Sequence, residues 1–252
     1  VGLAALSSDC ADDNTAVGRY ALLSFTGSDA TAIGSSALVN DVDGTENTAV
    51  GYQSLYYTNS GDYNCALGYN SGLYRVGDSG VLIGHSAGQY SGNADHCIAI
   101  GKNALLGSYF TDATCDTHAG GAADQVTCDS SSTIKVGQGV SGTGIPAGTY
   151  VAAITTGSEG SNVTKFQLSK NATGTAVANT TLTFFTSTGN YNIGIGGYTL
   201  DVVSTGHSNI ALGYNAGSAV VDGNANVAIG KSAGDAIVSG DYNTAVGHQA
   251  LT

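Results

Sequence analysis

Small and aliphatic residues recur along this chain every 16 or 17 residues, in a fixed order with asparagine and glycine. The phrase NTAVGRYAL at 14–22 returns almost unchanged as NTAVGYQSL at 47–55 and as NTAVGHQAL at 243–251. Its glycine anchors eleven copies: Gly2, Gly18, Gly34, Gly51, Gly68, Gly84, Gly101, Gly196, Gly213, Gly230 and Gly247. Self-similarity at a fixed short period indicates a repeat fold.

The positions around the repeat glycine are equally regular. The residue before it is aliphatic in every copy, the third residue after it is small, and the fourth is Leu or Gly. Asparagine dominates four positions before the glycine, at Asn14, Asn47, Asn64, Asn192, Asn209, Asn226 and Asn243. Each position of the repeat therefore forms a column of similar residues.

The period predicts an all-β fold, a parallel β-solenoid (β-roll or β-helix), because it is too short for a pair of helices. In stacked coils, equivalent residues lie about 4.8 Å apart, so each column must suit itself as a neighbour. Asparagine can form a hydrogen-bonded ladder along its column, and glycine permits a tight corner. The polar spacers FTGSD, NDVDGTE, TNSGDY and VDGNA are predicted to be outer loops.

Seven coils are predicted at 1–108 and four at 189–252, which together would form a rod about 50 Å long. The core of each coil would contain the aliphatic residue before the glycine, a Leu and a few Ala. Such a thin coil buries little apolar surface, and solenoid repeats need neighbours. We therefore expect a partner chain, most simply in an intertwined or side-by-side homotrimer.

The repeat is interrupted at 109–188, where alternating segments such as KFQL at 165–168 and TLTF at 181–184 predict a small inserted antiparallel β domain. Insertions in solenoids often form the binding face, so we expect this domain to bind a ligand. Cys115 and Cys128 could form a disulfide or could serve as small apolar core residues. Three N-x-S/T sequons, at Asn162, Asn171 and Asn179, are candidate N-glycosylation sites.

The charge balance narrows the range of partners. The net charge is −12, from 19 acidic and 7 basic residues, so the chain lacks the basic surface that nucleic acids require. No apolar run approaches the roughly 20 residues of a membrane span, so membrane insertion is not expected. The N-terminal VGLAALSSDC has no initiator Met and no basic segment of a signal peptide, which is typical of a processed chain or a fragment.

No pattern of residues indicates catalysis, so we expect neither an enzyme nor a cofactor. The IGIGGY at 193–198 lies in register with the repeat and no helical pattern follows it, unlike a dinucleotide-binding loop. His85 and His248 follow the repeat glycine in a variable slot, and the acids show no facing pair with a basic partner. Calcium could bind at Asp41, Asp43 and Gly44, but a solvated turn is the favoured interpretation.

Tyrosines cluster in the slots just after the repeat glycine and just before the asparagine. They are Tyr20, Tyr52, Tyr69, Tyr198 and Tyr214 after the glycine, and Tyr63, Tyr191 and Tyr242 before the asparagine. Exposed tyrosines can stack on sugars, or they can cover a solenoid face or a trimer seam. The residues themselves leave both interpretations open.

The phrase N-T-A-V-G-x-x-A-L, carried for example by Asn47, Ala49, Val50, Gly51 and Leu55, resembles the repeats of phage tail-fibre proteins. It is also similar to the β-roll heads of trimeric autotransporter adhesins. The resemblance covers about two thirds of the chain, although the period of 16–17 is longer than that of the adhesin heads. It implies a homotrimeric fibre, extracellular on a virion or a cell surface, that attaches to a glycan or protein receptor.

A structural fibre segment that mediates attachment to a host or surface is therefore the expected function. The alternative is a subunit of an end-to-end filament, since both ends of the chain stop within a repeat phrase. A minor alternative is an ice-binding solenoid, which needs a flat column of threonines. Thr15, Thr31, Thr48 and Thr244 share such a column, but Cys65, Val81 and Ile98 interrupt it.

Overall fold

The structure is a computed structural model that describes residues 2–8, 11–41, 43–58, 60–92, 94–107, 109–117, 124–131, 134, 138–146, 149–158, 161–172, 177–185 and 189–252. The chain divides into two compact units, one formed by Val1–Ser108 with Ser187–Thr252 and the other by Tyr109–Thr186. The described residues contain strands and turns but no helix.

The described residues form sixteen strands. The first six are β1 (Thr15–Val17), β2 (Thr31–Ile33), β3 (Thr48–Val50), β4 (Cys65–Leu67), β5 (Val81–Ile83) and β6 (Ile98–Ile100). The next six, all in the second unit, are β7 (Tyr109–Thr117), β8 (Gln125–Ser131), β9 (Gly139–Gly142), β10 (Thr149–Ser158), β11 (Ser161–Leu168) and β12 (Val177–Phe185). The last four are β13 (Ile193–Ile195), β14 (Ile210–Leu212), β15 (Val227–Ile229) and β16 (Thr244–Val246).

The first unit is a solenoid in which ten successive coils each contribute one strand to a single parallel sheet. Neighbouring strands pair in phase with the repeat, so that Thr15 lies beside Thr31 and the equivalent positions follow in register. The sheet continues across the insertion, because β6 pairs directly with β13 and Ile98 lies beside Ile193. The predicted parallel β-solenoid of about eleven turns is confirmed.

Only the middle residue of each solenoid strand points into the core. Ala32 and Ala49 are completely buried, and Ala21 and Leu22 fill the same core from the corner after the glycine. Successive residues of a strand face opposite sides, so the aliphatic residue before the glycine points outward, as Ile33 does. The prediction that this aliphatic column belongs to the core is therefore wrong.

The repeat glycine lies at a corner where adjacent coils almost touch. Gly51 has φ +140°, and a Cβ atom built on it would lie 2.3 Å from the carbonyl oxygen of Gly68 in the next coil. The same approach, at 2.2–2.7 Å, recurs from Gly18 to Gly230. Both the left-handed backbone and the space exclude any side chain at this position.

The slot four residues after the repeat glycine also has positive φ, whether its residue is Leu or Gly. Leu55 has φ +50° and Gly72 has φ +61°. The choice depends on the neighbouring side chains, because a Cβ on Gly72 would lie 2.7 Å from both Leu55 and Leu82. Leu82 takes the place of the usual core alanine, and glycine at 72 and 88 provides the space for it.

The prediction that the spacers are outer loops holds only in part, because the residue seven positions after the repeat glycine turns inward. Phe25, Asp41, Thr58, Arg75 and Ser91 occupy equivalent places after the repeat glycine, and all five are buried. The corresponding residues in the C-terminal coils are Val203, Val220 and Ile237. This column completes the core on the side opposite the sheet, and in the N-terminal block it is largely polar.

The second unit is a closed barrel of six strands in the order β10-β11-β8-β7-β12-β9. The pairings between its described residues are antiparallel. Its core contains Phe166, Leu182 and Phe184, and the rings of Phe166 and Phe184 meet edge to face at 5.5 Å. The alternating segments at 165–168 and 181–184 thus place every second side chain inside this barrel.

Candidate functional site

The outer face of the ten-stranded sheet carries two columns of side chains, which we call the open face. One column contains Thr15, Thr31, Thr48, Cys65, Val81, Ile98, Ile193, Ile210, Val227 and Thr244. The other contains Val17, Ile33, Val50, Leu67, Ile83, Ile100, Ile195, Leu212, Ile229 and Val246. Six aliphatic side chains of the second column are 37–64% exposed.

Apolar exposure of this extent is unusual for a parallel sheet, which is normally covered on both faces. Isolated exposed aliphatic residues are common, but a continuous column along ten strands forms a patch, and such patches mark binding surfaces. The threonine column of the ice-binding alternative is regular only over β1 to β3, where Thr15, Thr31 and Thr48 lie side by side. From Cys65 onward the column is mainly aliphatic.

The asparagine column forms hydrogen bonds from coil to coil. The Oδ1 atom of Asn192 accepts the backbone N–H of Asn209 at 2.9 Å, and Nδ2 of Asn209 donates to the carbonyl oxygen of Gly223 at 2.8 Å. In the C-terminal block, Nδ2-to-Oδ1 bonds of 3.0–3.1 Å also join Asn192, Asn209, Asn226 and Asn243. In the N-terminal block, Asn14 bonds to Ala30 N–H and Asn47 to Asn64 N–H, each at 2.9 Å.

Arg75 is a buried residue that the sequence did not single out. It is fully buried, and its Nε donates to Oδ1 of Asn64 at 2.7 Å while one terminal nitrogen donates to the carbonyl oxygen of Asp78 at 2.9 Å. Burial lowers the pKa of its guanidinium, and the charges of Cys97, Asp95 and Asp78 oppose that shift.

In most coils, an asparagine of the ladder occupies the space that the Arg75 side chain fills in this coil. Gly80 stands in the asparagine slot of this coil, and a Cβ on it would lie 2.4 Å from Cζ of Arg75. The guanidinium therefore donates to Asn64 in place of the missing asparagine. A glycine in the asparagine column, five residues after an arginine in the inward-turning slot, was the available signal in the sequence.

Asp41 lies inside the solenoid and not in a solvated turn, so the favoured interpretation of this segment was wrong. Its two carboxylate oxygens accept hydrogen bonds from Gly44 N–H at 3.0 Å and from Nδ2 of Asn47 at 3.1 Å. Burial raises the pKa of Asp41 to about 7, although these two hydrogen bonds favour the charged form. Asp43 is exposed, and the described residues contain no cluster of three acidic, His or Cys side chains that could hold a metal.

A second polar ladder consists of aspartates that the sequence did not single out as a column. The Oδ1 atoms of Asp62, Asp78 and Asp95 accept the backbone N–H groups of Thr45, Asp62 and Asp78, respectively, at 2.7–2.9 Å. Each carboxylate thus connects its coil to the preceding one. Asn190 takes over this position after Asp95, whose N–H it accepts at 3.0 Å.

The tyrosines form stacked ladders along the solenoid. Tyr52, Tyr69 and His85 stack in three successive coils, with ring centroids 5.2 and 5.0 Å apart. A second ladder contains Tyr57, Tyr74 and Tyr90, with separations of 4.7 and 5.5 Å. A ring between two others presents only its edge and hydroxyl to solvent, so the rings inside these ladders lack a free face for stacking on a sugar.

The remaining candidate residues are dispersed. His85 belongs to the ladder just described, and His248 is exposed at the end of the described solenoid. Cys115 and Cys128 are both buried in the barrel core, where the thiol of Cys128 donates to the carbonyl oxygen of Val163 at 3.5 Å, and a disulfide between them stays a prediction. Among the sequons, Asn171 is exposed, whereas the side chains of Asn162 and Asn179 lie outside the described part of the chain.

No protein-family model, curated protein or solved structure matches this chain. Among the described residues, no helix has the length and apolar character that crossing a membrane requires. The function is therefore inferred from the surfaces of the molecule.

Proposed function

We propose that this chain is a structural segment of an extracellular attachment fibre, on a virion or a cell surface, and that three copies associate through their open faces. One observation carries the proposal: the outer side of a ten-stranded parallel sheet is a continuous aliphatic column that its own chain leaves uncovered. Within one chain the core is complete, so the partner would cover this face and would not supply missing core residues.

The geometry of the face favours association along the length of the solenoid. Strands repeat every coil in strict register, so a second copy aligned with the first can match its columns coil by coil. Burial of apolar surface contributes about 25 cal/mol per Å², and the contribution accumulates over ten strands. Three copies around an axis parallel to the solenoids form a closed, symmetric assembly in which the open faces meet at the centre.

Attachment by such a fibre would depend on multivalency. Each copy presents the same side chains at the same height, so a weak site on one chain is repeated three times in the assembly. Linked weak sites can exceed the affinity of a single site by about 10² or more when the receptor offers matching spacing. The fibre would need no catalytic residue for this role.

Mass measurement in solution, by light scattering after size exclusion, tests the assembly. We expect a particle of three times the 25.0 kDa chain mass, with a concentration dependence that shows reversible association. A particle of 25.0 kDa at all concentrations would overturn the trimer. Attachment is tested by binding of the labelled chain to an array of immobilised glycans, where the absence of any signal would contradict it.

A further inference from the structure

A groove opens between two coils of the solenoid just after the insertion. It has a volume of about 580 Å³ and is lined by Gly189, Asn190, Tyr191, Thr205, His207 and Ser208. Small-molecule sites commonly have volumes of about 300–1,000 Å³. The first three of these residues belong to one coil and the last three to the next, so the regular stacking of the solenoid shapes the groove.

Tyr191 presents an aromatic ring face to this groove. One face of its ring stacks on His96 of the preceding coil, with centroids 5.1 Å apart. In the following coil, the equivalent position is occupied by Ser208, which lines the groove and is too small to cover the other face. Tyr191 is therefore the last ring of its stack, and its side chain is 57% exposed.

The side chains around the ring provide several hydrogen-bonding groups. Asn190 offers an amide, Thr205 and Ser208 offer hydroxyls, and His207 offers an imidazole whose Nδ1 lies 3.3 Å from Oγ of Ser208. Asn190 is held in place because its Oδ1 accepts the backbone N–H of Asp95 at 3.0 Å. An apolar ring face beside several hydroxyl, amide and imidazole groups matches a sugar, which has an apolar face and hydroxyls at its rim.

An equivalent step elsewhere in the solenoid shows which features are specific to this groove. Tyr63 is 56% exposed, has the same left-handed backbone and also precedes a serine, Ser79, in the next coil. However, Asp62 and Asp78 stand there in place of Asn190 and His207, and Val76 stands in place of Thr205. The backbone steps correspond, since Gly61 approaches Gly77 and Val76 as Gly189 approaches Gly206 and Thr205.

We propose that the groove at Tyr191 binds a neutral saccharide, with the open face of Tyr191 stacked on a sugar ring and with Asn190, Thr205 and His207 bonded to its hydroxyls. Neutral sugars are favoured because the chain carries a net charge of −12 and the described residues that line the groove include no Lys or Arg to pair with an anionic sugar. The biological role of this site rests on the proposed attachment function, for which it names the class of ligand.

The test is a titration of the full chain with trisaccharides, in which ligand-observed NMR measures binding. The neutral probes are cellotriose, maltotriose and the N-acetylglucosamine trisaccharide, and 3′-sialyllactose is the charged comparator. We expect at least one neutral trisaccharide to bind with a dissociation constant on the order of 1 mM, as suits an open groove. Tyr191→Ala should weaken that binding about tenfold. Ser208→Tyr should abolish it by covering the ring face, and tyrosine is already accommodated in this column at Tyr63 and Tyr242.

Tyr63→Ala is the matched control, because it removes an equally exposed tyrosine from the same column and should leave binding unchanged. The proposal is overturned if no neutral trisaccharide binds, if sialyllactose binds more tightly than every neutral probe, or if Tyr191→Ala and Ser208→Tyr both bind like the parent chain. Binding of a soluble trisaccharide to one groove does not depend on the number of chains in the assembly. A monomeric chain can therefore bind the sugar, and a trimeric chain can fail to bind it, so the failure of one proposal is distinguishable from the failure of the other.

Discussion

Glycine at the corner of each coil is required for two independent reasons, its backbone angle and the contact between coils. For Gly51→Ala we expect a loss of about 3 kcal/mol or more in the free energy of unfolding, because the new Cβ would clash with the carbonyl of Gly68 and φ is +140°. Gly197→Ala is the control, since a Cβ there meets its nearest atom at 3.6 Å. Thermal unfolding of both variants measures the difference, and equal melting temperatures would contradict this account.

Arg75 and Gly80 form a pair whose two residues have to change together. Gly80→Asn alone should destabilise the chain, because its Cβ would lie 2.4 Å from the Arg75 guanidinium. In the background of Arg75→Ala the same change should stabilise it, since the new asparagine can then join the ladder at Asn64. A double-mutant cycle measured by thermal unfolding gives the coupling, which we expect to exceed about 1 kcal/mol. Additive effects of the two substitutions would show that they do not share one space.

Asp41 should make the stability of the chain depend on pH. Its folded pKa of about 7 lies above the ordinary 3.8, so the folded chain keeps the proton at pH values where the unfolded chain has released it. Stability is therefore fully present below pH 3.8, decreases as the pH rises and reaches its lower level above about 7. The loss should be on the order of a few kcal/mol.

The Asp41 effect is measured as the change in melting temperature between pH 5 and pH 8 for the parent chain and for Asp41→Asn. The substitution removes the titrating group, so its profile should be flatter, even though it also loses the hydrogen bond from Asn47. Asp12→Asn changes an exposed aspartate that does not contribute to the Asp41 shift and should keep the parent profile. Superimposable profiles for the parent chain and Asp41→Asn would show that Asp41 does not titrate differently on folding.

At the scale of the elements, the period, the strand positions and the corner glycines could be read from the sequence, because stacking imposes the same residue on every coil. The direction of the side chains could not. A three-residue strand such as Thr48–Val50 has apolar residues at two of its positions, and only the tertiary fold shows that Ala49 is buried and Val50 is not. The sequence suggested the larger residue for the core, but a narrow coil accepts only the smaller one.

Residues outside the repeat pattern were the hardest to place. Asp41 lies in a spacer for which a solvated turn was favoured, and Arg75 was not singled out. Their burial depends on the coil closing around the seventh residue after the repeat glycine and on partners such as Asn47 and Asn64 in the asparagine column. The groove at Tyr191 was equally hidden, because it requires knowing that Ser208 lies in the coil directly after Tyr191.

The insertion provides a test of the solenoid as an independent element. Gly101 and Gly196 are 95 residues apart, and removal of the 78 residues of Tyr109–Thr186 leaves a spacing of 17, which is the ordinary period. Since β6 already pairs with β13, the excised chain should fold into an uninterrupted solenoid with a melting temperature within about 5 °C of the parent. Loss of the β-sheet signal in circular dichroism after excision would show that the solenoid depends on the second unit.

At the scale of the whole molecule, the open face is the feature that the fold of one chain does not account for. Parallel sheets rarely leave an aliphatic face in water, whereas other exposed parts of the solenoid carry stacked tyrosines and a hydrogen-bonded ladder of aspartates. This asymmetry supports the proposal that copies of the chain associate through the open face.

Leu67 lies on the open face and Tyr69 lies in a tyrosine ladder of the same coil, so this pair of residues compares the two kinds of surface. They flank Gly68, and their side chains are similarly exposed, at 46% and 49%. Leu67→Lys should dissociate the proposed trimer, with association weakened by more than about tenfold, because three lysines would be desolvated together near its axis. The monomer should stay folded since the side chain points outward. Tyr69→Lys, on the tyrosine ladder, should leave the mass in solution unchanged; a Leu67→Lys chain that remains trimeric would move the interface away from the open face.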